Sequence, residues 1–464
     1  MHHALQLFLA LGALLVRTTA SYSLPVQNHR QGQQHVLQAG QASTVQEQRP
    51  PQQPISPFKH RSNGFQTGFV ALGDSYSAGI GTGFLGKEDD CRHGLGAYPQ
   101  LIANDLAASQ HGSPNITSAQ LLACTGATTQ QVLAGGEDSQ IDKLNTSLPT
   151  DFALLSLGGN DLGFFEVMNS CVFRFYSFYS GTCETALEHS RAALESDEFA
   201  VRLEITITEI LDAVRWEKKP WFFITMTGYA RFFDATTEAC DDMSFGVWWN
   251  GPRLTRELRA RMNDLVLAVN NKIRYTVGLI NAKFSTDKVL FVDHDDLWDG
   301  HRFCESGVVE PDYERGDTWF FLVGGADNAR NGTNGTSTGI SRNTGGGGQR
   351  NSPTALVDPA TCLEPAQRSG DWGAQALCYM AMAKQRDPSL RPSPAMERVV
   401  LPLSRDAFLL PGREDDEVGD GDVLAGNSMW YVPTYYGKTF HPRTRGHEAI
   451  RDAVYRAWRE MEEA

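Results

Sequence analysis

The 464-residue chain is short of positive charge: 41 Lys and Arg stand against 55 Asp and Glu, a formal net charge of −14. An acidic surface is a poor partner for phosphate backbones, so nucleic acid is not expected as a ligand. No apolar run approaches 18 residues, so no stable membrane span is expected. There is no CxxC pair and no Cys/His cluster at zinc-ligand spacing, which argues against a metal centre. The acidic segment 413–422 lacks EF-hand spacing and reads as a solvated loop. Hydrophobic residues, in contrast, make up 41% of the chain and glycine is plentiful at 44. That is enough apolar surface to fold, and at about 150 residues per domain the length alone allows roughly three domains.

Export signals come first along the chain. Ala4 to Val16 is an apolar run of about 13 residues, too short to span a bilayer and suited to a signal-peptide core. Thr18 and Ala20 supply small residues for cleavage before Ser21, so 1–20 is read as a signal peptide and the protein as secreted. The eight cysteines, an even count, are Cys91, Cys124, Cys171, Cys183, Cys240, Cys304, Cys362 and Cys378. In a secreted chain this implies four disulfides. Sequons at Asn115, Asn145, Asn331 and Asn334 are candidate glycosylation sites.

Residues 21–65 are rich in Gln, Ser, Pro and His without hydrophobic periodicity, and read as a disordered linker or a propeptide. From Phe69 the texture changes. Apolar strand-like runs at 69–75, 119–126, 152–161, 221–229 and 288–295 alternate with helical patterns at 97–109, 198–219 and 253–281. A last amphipathic helix is predicted over 447–463. Alternation of this kind predicts a parallel sheet covered on both faces, with ligands at the carboxyl ends of the strands. Residues 306–429 break the pattern. Their Gly/Asn-rich stretch 324–353 reads as an exposed, mobile loop, and Cys362 and Cys378 are expected to close a small loop.

Polar residues that end strands are therefore the ones to weigh. Gly73-Asp74-Ser75-Tyr76-Ser77-Ala78-Gly79 places a serine at a strand-to-helix turn, where hydroxyl and backbone N–H can meet one ligand. Cys124-Thr125-Gly126-Ala127-Thr128 and Gly158-Gly159-Asn160-Asp161 end two further strands. Their glycines allow close backbone approach and the Asn amide can donate. Near the carboxyl end comes Phe440-His441-Pro442, followed by Arg443-Thr444-Arg445-Gly446-His447. Each of these alone is a common turn or cap.

Taken together and in this order, GDSYSAG, GGND and HP-x-x-x-GH resemble the SGNH (GDSL) hydrolase superfamily. The likeness is to its secreted, disulfide-bonded branch, typified by actinobacterial lipases and esterases, with similar proteins in fungi. It covers 66–305 and 430–464, leaving 306–429 as an insertion and reducing three domains to one hydrolase domain. The resemblance implies an α/β fold, a flavodoxin-like three-layer α/β/α sandwich with about five parallel strands. It implies Ser75 as nucleophile and His441 as general base. Donors to the oxyanion would be the Ser75 N–H, the Gly126 N–H and the Asn160 side-chain amide. No cofactor is implied. His447 reads as a packed residue at the start of the last helix.

One departure matters. Much of the superfamily carries Asp three residues before the catalytic His, and here that position is Lys438. A lysine side chain cannot accept the imidazole N–H. Members of the secreted branch use a main-chain carbonyl instead, which implies that the Lys438 carbonyl orients His441. The rival is a carboxylate from Asp295 or Asp296. The branch further implies the pairs Cys91–Cys124, Cys171–Cys183 and Cys240–Cys304, leaving Cys362–Cys378 for the insertion.

The segment 293–301 (DHDDLWDGH) can be read as a metal site through His294 and His301, or as a hydrogen-bonded loop beside the site. The aromatic stretches 173–179, 247–249 and 429–436 are candidates for an acyl pocket or for core. The expected function is hydrolysis of carboxylic esters, either lipid or short-chain acyl esters, by a monomeric extracellular enzyme. The alternatives are an esterase of acetylated plant polysaccharide and a catalytically silent binding protein on the same scaffold.

Overall fold

The structure, a computed structural model, describes residues 67–85, 88–108, 116–136, 138–175, 182–313, 315–329, 358–391, 393, 434 and 436–463. All lie within one unit, Gln52–Ala464. The signal-peptide segment, the 21–65 linker, most of the 324–353 loop, the acidic 413–422 segment and the sequons at Asn115, Asn331 and Asn334 fall outside the described residues. Asn145 is described and exposed, its Oδ1 accepting from the Ser147 N–H at 3.0 Å and the Ser147 hydroxyl at 2.6 Å.

The elements in chain order are β1 (Thr67–Gly73), α1 (Ser75–Ala78), α2 (Tyr98–Ala108), β2 (Ile116–Leu121), α3 (Thr129–Val132), β3 (Phe152–Ser156) and α4 (Phe164–Met168). Then come α5 (Cys183–Glu195), α6 (Asp197–Val214), β4 (Phe223–Thr227), α7 (Arg256–Asn281) and β5 (Val289–Val292). The last are α8 (Leu363–Ser369), α9 (Trp372–Arg386) and α10 (Thr444–Glu463). The five strands form one sheet in the order β2-β1-β3-β4-β5, every neighbouring pair parallel. The expected five-stranded α/β architecture is therefore present.

Strand chemistry explains the layering. All five residues of β3 and of β4 are buried, which a strand covered on both faces requires. On one face α10 inserts Trp458, edge-on to Phe152 at 5.1 Å, with its indole N–H donating to Thr225 Oγ1 at 2.9 Å. On the other face α6 presents Leu203, Ile207, Ile210, Leu211 and Val214, a helical stripe of buried residues. Helix α6 stops at Val214, short of the predicted 219, because Arg215 adopts a left-handed conformation with φ 56°. Strand β2 lies three residues earlier than its apolar pattern indicated. Leu122 and Ala123 leave the ladder and bond to the Ala71 carbonyl instead.

All eight cysteines are paired, in the combinations implied above. Cys362–Cys378 closes the expected small loop, and the segment it closes is a helical hairpin, α8 and α9, that the broken texture of 306–429 concealed. Among the described residues no helix is long and apolar enough to cross a membrane.

Order 2-1-3-4-5 has one topological switch, between β1 and β3. The chain leaves β1 toward one edge and returns past it to β3. A crevice opens at the carboxyl ends of these two strands.

Candidate active site

Ser75 sits at that crevice. β1 ends on Gly73, where φ is 111° and a Cβ would lie 1.9 Å from the Ser156 carbonyl oxygen of β3. Only glycine lets the two strands close this tightly and lets Asp74 N–H donate to Ser156 O at 2.8 Å. Asp74 then caps α1, accepting from Tyr76 N–H at 3.0 Å. Ser75 is consequently the first helical residue. Among the described residues its N–H finds no acceptor, and neither does that of Gly126.

His441 reaches the same point from the far end of the chain. Its Nε2 lies 2.6 Å from Ser75 Oγ, and both residues are buried. Phe440, just before it, holds a left-handed backbone with φ 64°, a conformation that costs a non-glycine residue about 1–2 kcal/mol. An aromatic cage offsets this. The rings of Phe173, Phe232, Phe233, Phe245 and Phe303 surround the Phe440 ring at centroid distances between 4.8 and 6.1 Å. Backbone bonds also clamp the segment, Phe440 N–H to Phe321 O at 2.9 Å and Phe321 N–H to His441 O at 3.0 Å.

The carbonyl that faces His441 Nδ1 is that of Thr439, at 3.1 Å. The Lys438 carbonyl also accepts the His441 backbone N–H at 2.9 Å, closing a turn. The Thr439 carbonyl thus stands at Nδ1 beside the expected Lys438 carbonyl, and both favour the charged ring. The Lys438 side chain turns away, donating to Gly325 O at 2.7 Å over the face of Phe321. Burial pushes the His441 imidazole down to about 4, against the Thr439 and Lys438 carbonyls, which favour the charged ring. The ring is neutral at ordinary pH.

Neither rival carboxylate touches His441. Asp295 is held by Arg231 Nε at 2.7 Å and Arg302 Nη2 at 3.1 Å, and Asp296 lies 3.6 Å from Arg456. His294 is buried against Gly228 O and the Trp298 indole, and His301 stacks on Trp319. His447 packs in the first turn of α10, its Nδ1 accepting from Tyr98 N–H at 3.3 Å. Phe173, Phe175, Val247 and Trp248 are core residues; 176–179, 429–433 and Tyr435 fall outside the described residues.

Asn160 completes the crevice from the end of β3. Its Nδ2 donates to Ala127 O at 2.9 Å and its Oδ1 accepts from the Trp372 indole N–H at 3.1 Å. Asp161 ties the same turn to α3 by accepting from Thr129 N–H at 3.1 Å and the Thr129 hydroxyl at 2.6 Å. Ser75, Asn160, Phe164, Phe232, Trp372 and His441 line a partly open pocket. Gly126 lies on the adjacent Cys124–Thr128 turn and is not part of that lining.

Two contributors escaped the sequence reading. Tyr229 donates to Asp74 Oδ2 at 2.6 Å and accepts from Gly159 N–H at 3.1 Å. It stands just beyond β4, where the rule that strand ends carry the chemistry would have found it. Trp372 lies in the supposed insertion, and no motif marks it. Asp74 itself, buried and bonded to Ser156, Tyr229 and Tyr76, is raised to about 6 by loss of solvent. Chemically, a hydroxyl against a neutral imidazole, with free N–H groups beside it, can form and stabilise an oxyanion on an acyl carbon.

The GDSL-like lipase/acylhydrolase family profile matches residues 71–303, half of the chain. The chain belongs to this family. Among curated proteins it is 33% identical over 171 residues to Lipase 1 of Streptomyces coelicolor, covering 37% of this chain and 55% of that protein. It is 32% identical over 168 residues to a lipase of Streptomyces rimosus, covering 36% and 54%. The chain thus spans about half the length of these relatives. Among solved structures, phospholipase A1 from Streptomyces albidoflavus is 28% identical, covering 56% of this chain and 88% of that one at a TM-score of 0.39. The GDSL-family match takes in Ser75, Gly126 and Asn160; His441 and Trp372 lie beyond its last matched residue.

Proposed function

We propose that this GDSL-family chain is a secreted serine hydrolase that cleaves carboxylic esters through an acyl-Ser75 intermediate. The observation that carries the reading is the 2.6 Å contact between Ser75 Oγ and His441 Nε2 at the wall of an apolar cavity. His441 takes the Ser75 proton as Oγ attacks the ester carbonyl. The oxyanion is met by Ser75 N–H, Gly126 N–H and Asn160 Nδ2. The imidazolium then gives its proton to the departing alcohol, and a water activated by the same ring releases the acid. The Thr439 carbonyl holds the Nδ1–H tautomer, so the pair works as a dyad without a carboxylate. Four disulfides support the extracellular assignment.

The walls favour apolar acyl groups. Phe164, Phe232, Phe440 and Trp372 offer hydrocarbon and ring faces, and few polar groups are available to bind a sugar. The test is hydrolysis of p-nitrophenyl esters from acetate to palmitate by wild type and Ser75→Ala, with acetylated xylan as a competing substrate. Loss of all ester turnover in Ser75→Ala is expected. Equal rates in both proteins would overturn the serine mechanism, and preference for acetylated xylan over every apolar ester would overturn the substrate class.

A further inference from the structure

We propose that Trp372 is a positioning residue of the Ser75 centre: its indole N–H locks the Asn160 amide as a hydrogen-bond donor. The proposal rests on the serine-esterase reading above. An Asn amide has two ends of nearly equal shape, and rotating it by half a turn exchanges donor for acceptor. Asn160 is pinned at both ends by partners of opposite kind. The Ala127 carbonyl can only accept, and takes one Nδ2 hydrogen at 2.9 Å; the indole N–H can only donate, and takes Oδ1 at 3.1 Å. The flipped amide would lose both bonds and face like against like. The second Nδ2 hydrogen is then the one left for the oxyanion.

Trp372 is itself held from several sides. Its ring lies edge-on to His441 at 5.3 Å and tilted against Phe165 at 5.7 Å. The residue before it, Asp371, caps α9 through Gly373 N–H at 2.8 Å and Ala374 N–H at 3.2 Å. The other Asp371 oxygen takes Arg92 Nε at 3.0 Å. Arg92 follows Cys91, which is bonded to Cys124 at the start of the Gly126 turn. One residue earlier, Gly370 meets Gly126 so closely that a Cβ on either would come within 2.6 Å of the other's carbonyl oxygen. Three consecutive residues thus touch the Gly126 turn, Arg92, Asn160 and His441. They come from a disulfide-stapled hairpin outside the residues matched by the family.

The test uses the full chain and p-nitrophenyl butyrate with Trp372→Phe, Asn160→Ala and their combination. Phenylalanine keeps a smaller aromatic wall and removes the N–H donor, and the Asn160→Ala background separates the two losses. Expected is a drop in kcat of about three- to tenfold for Trp372→Phe with KM within about twofold, the effect of one net hydrogen bond. In the Asn160→Ala background the same substitution should change nothing, because its route has gone. An equal fractional loss in both backgrounds, or a wild-type kcat in Trp372→Phe, overturns the positioning role. A Ser75→Ala protein that still turns over ester would defeat the underlying reading instead, so the two failures are distinct.

Discussion

Tyr229 and Asp74 share a hydrogen bond of 2.6 Å beneath the Ser75 turn, the phenol donating to Oδ2. Because the same phenol oxygen accepts from Gly159 N–H, the ends of β1, β3 and β4 are linked through one hydroxyl. Replacing Tyr229 by Phe should leave a buried carboxylate short of a donor and free the Gly159–Asn160 turn. The expected cost is about 1–3 kcal/mol of stability, read from urea denaturation, together with a lower kcat. An unchanged midpoint and an unchanged kcat would show that Asp74 is adequately held by Ser156 and the Tyr76 N–H.

The pH dependence of turnover follows from His441. In the proposed mechanism the ring must be neutral to accept the Ser75 proton, and burial lowers it to about 4. Since kcat/KM reports ionisations of the free enzyme, it should stay flat from neutral pH down to about 5 and halve near 4, not near the usual imidazole value of about 6.5. Asp74, raised to about 6, is the other group able to set this limb. A half-point near 6 that moves downward in Asp74→Asn would assign the limb to Asp74.

The dyad makes a separate claim about carboxylates. With the Thr439 carbonyl at Nδ1 and Asp295 and Asp296 engaged by arginines, Asp295→Asn and Asp296→Asn should each retain kcat within about twofold of wild type, the scale of a surface or remote contact. Asp295→Asn should still lower the melting temperature, because it removes the negative charge held between Arg231 and Arg302 and puts an NH2 donor where Oδ2 accepts from Arg231 Nε. A loss of kcat beyond about a hundredfold in either protein, with the fold intact, would restore a carboxylate to the mechanism.

These tests also mark what could be read in the sequence. Ser75, Gly126 and Asn160 end strands, and strand ends at a switch point carry ligands on topological grounds; the apolar runs gave those strands directly. His441 was legible only through the order of short motifs, since nothing local announces that residue 441 folds back onto residue 75. The Thr439 carbonyl at Nδ1, beside that of Lys438, was not legible, because this turn includes the left-handed Phe440, packed among five phenylalanines distant in sequence. Trp372 was invisible for a like reason: its partners Asn160, His441 and Phe165 are all tertiary, and the surrounding low-complexity sequence suggested a loop.

His447 supplies a stability test independent of catalysis. It is buried, with Nδ1 accepting from Tyr98 N–H and no partner for Nε2 among the described residues. Burial, aided by the charges of His441 and His294, lowers it to about 3. The unfolded chain therefore binds the extra proton between about 6.5 and 3 while the native one does not, so its contribution to stability is complete above about 6.5 and is lost as pH falls. The slope is at most about 1.4 kcal/mol per pH unit for one proton. His447→Asn, whose side-chain oxygen can still accept from Tyr98, should be less stable at pH 7 yet fall less steeply between pH 6 and 4 in parallel urea titrations. Carboxylates shifted upward by burial, Asp74 among them, oppose this slope in both proteins and cancel in the difference. Parallel curves for wild type and variant would mean that His447 is protonated equally in the native and unfolded states.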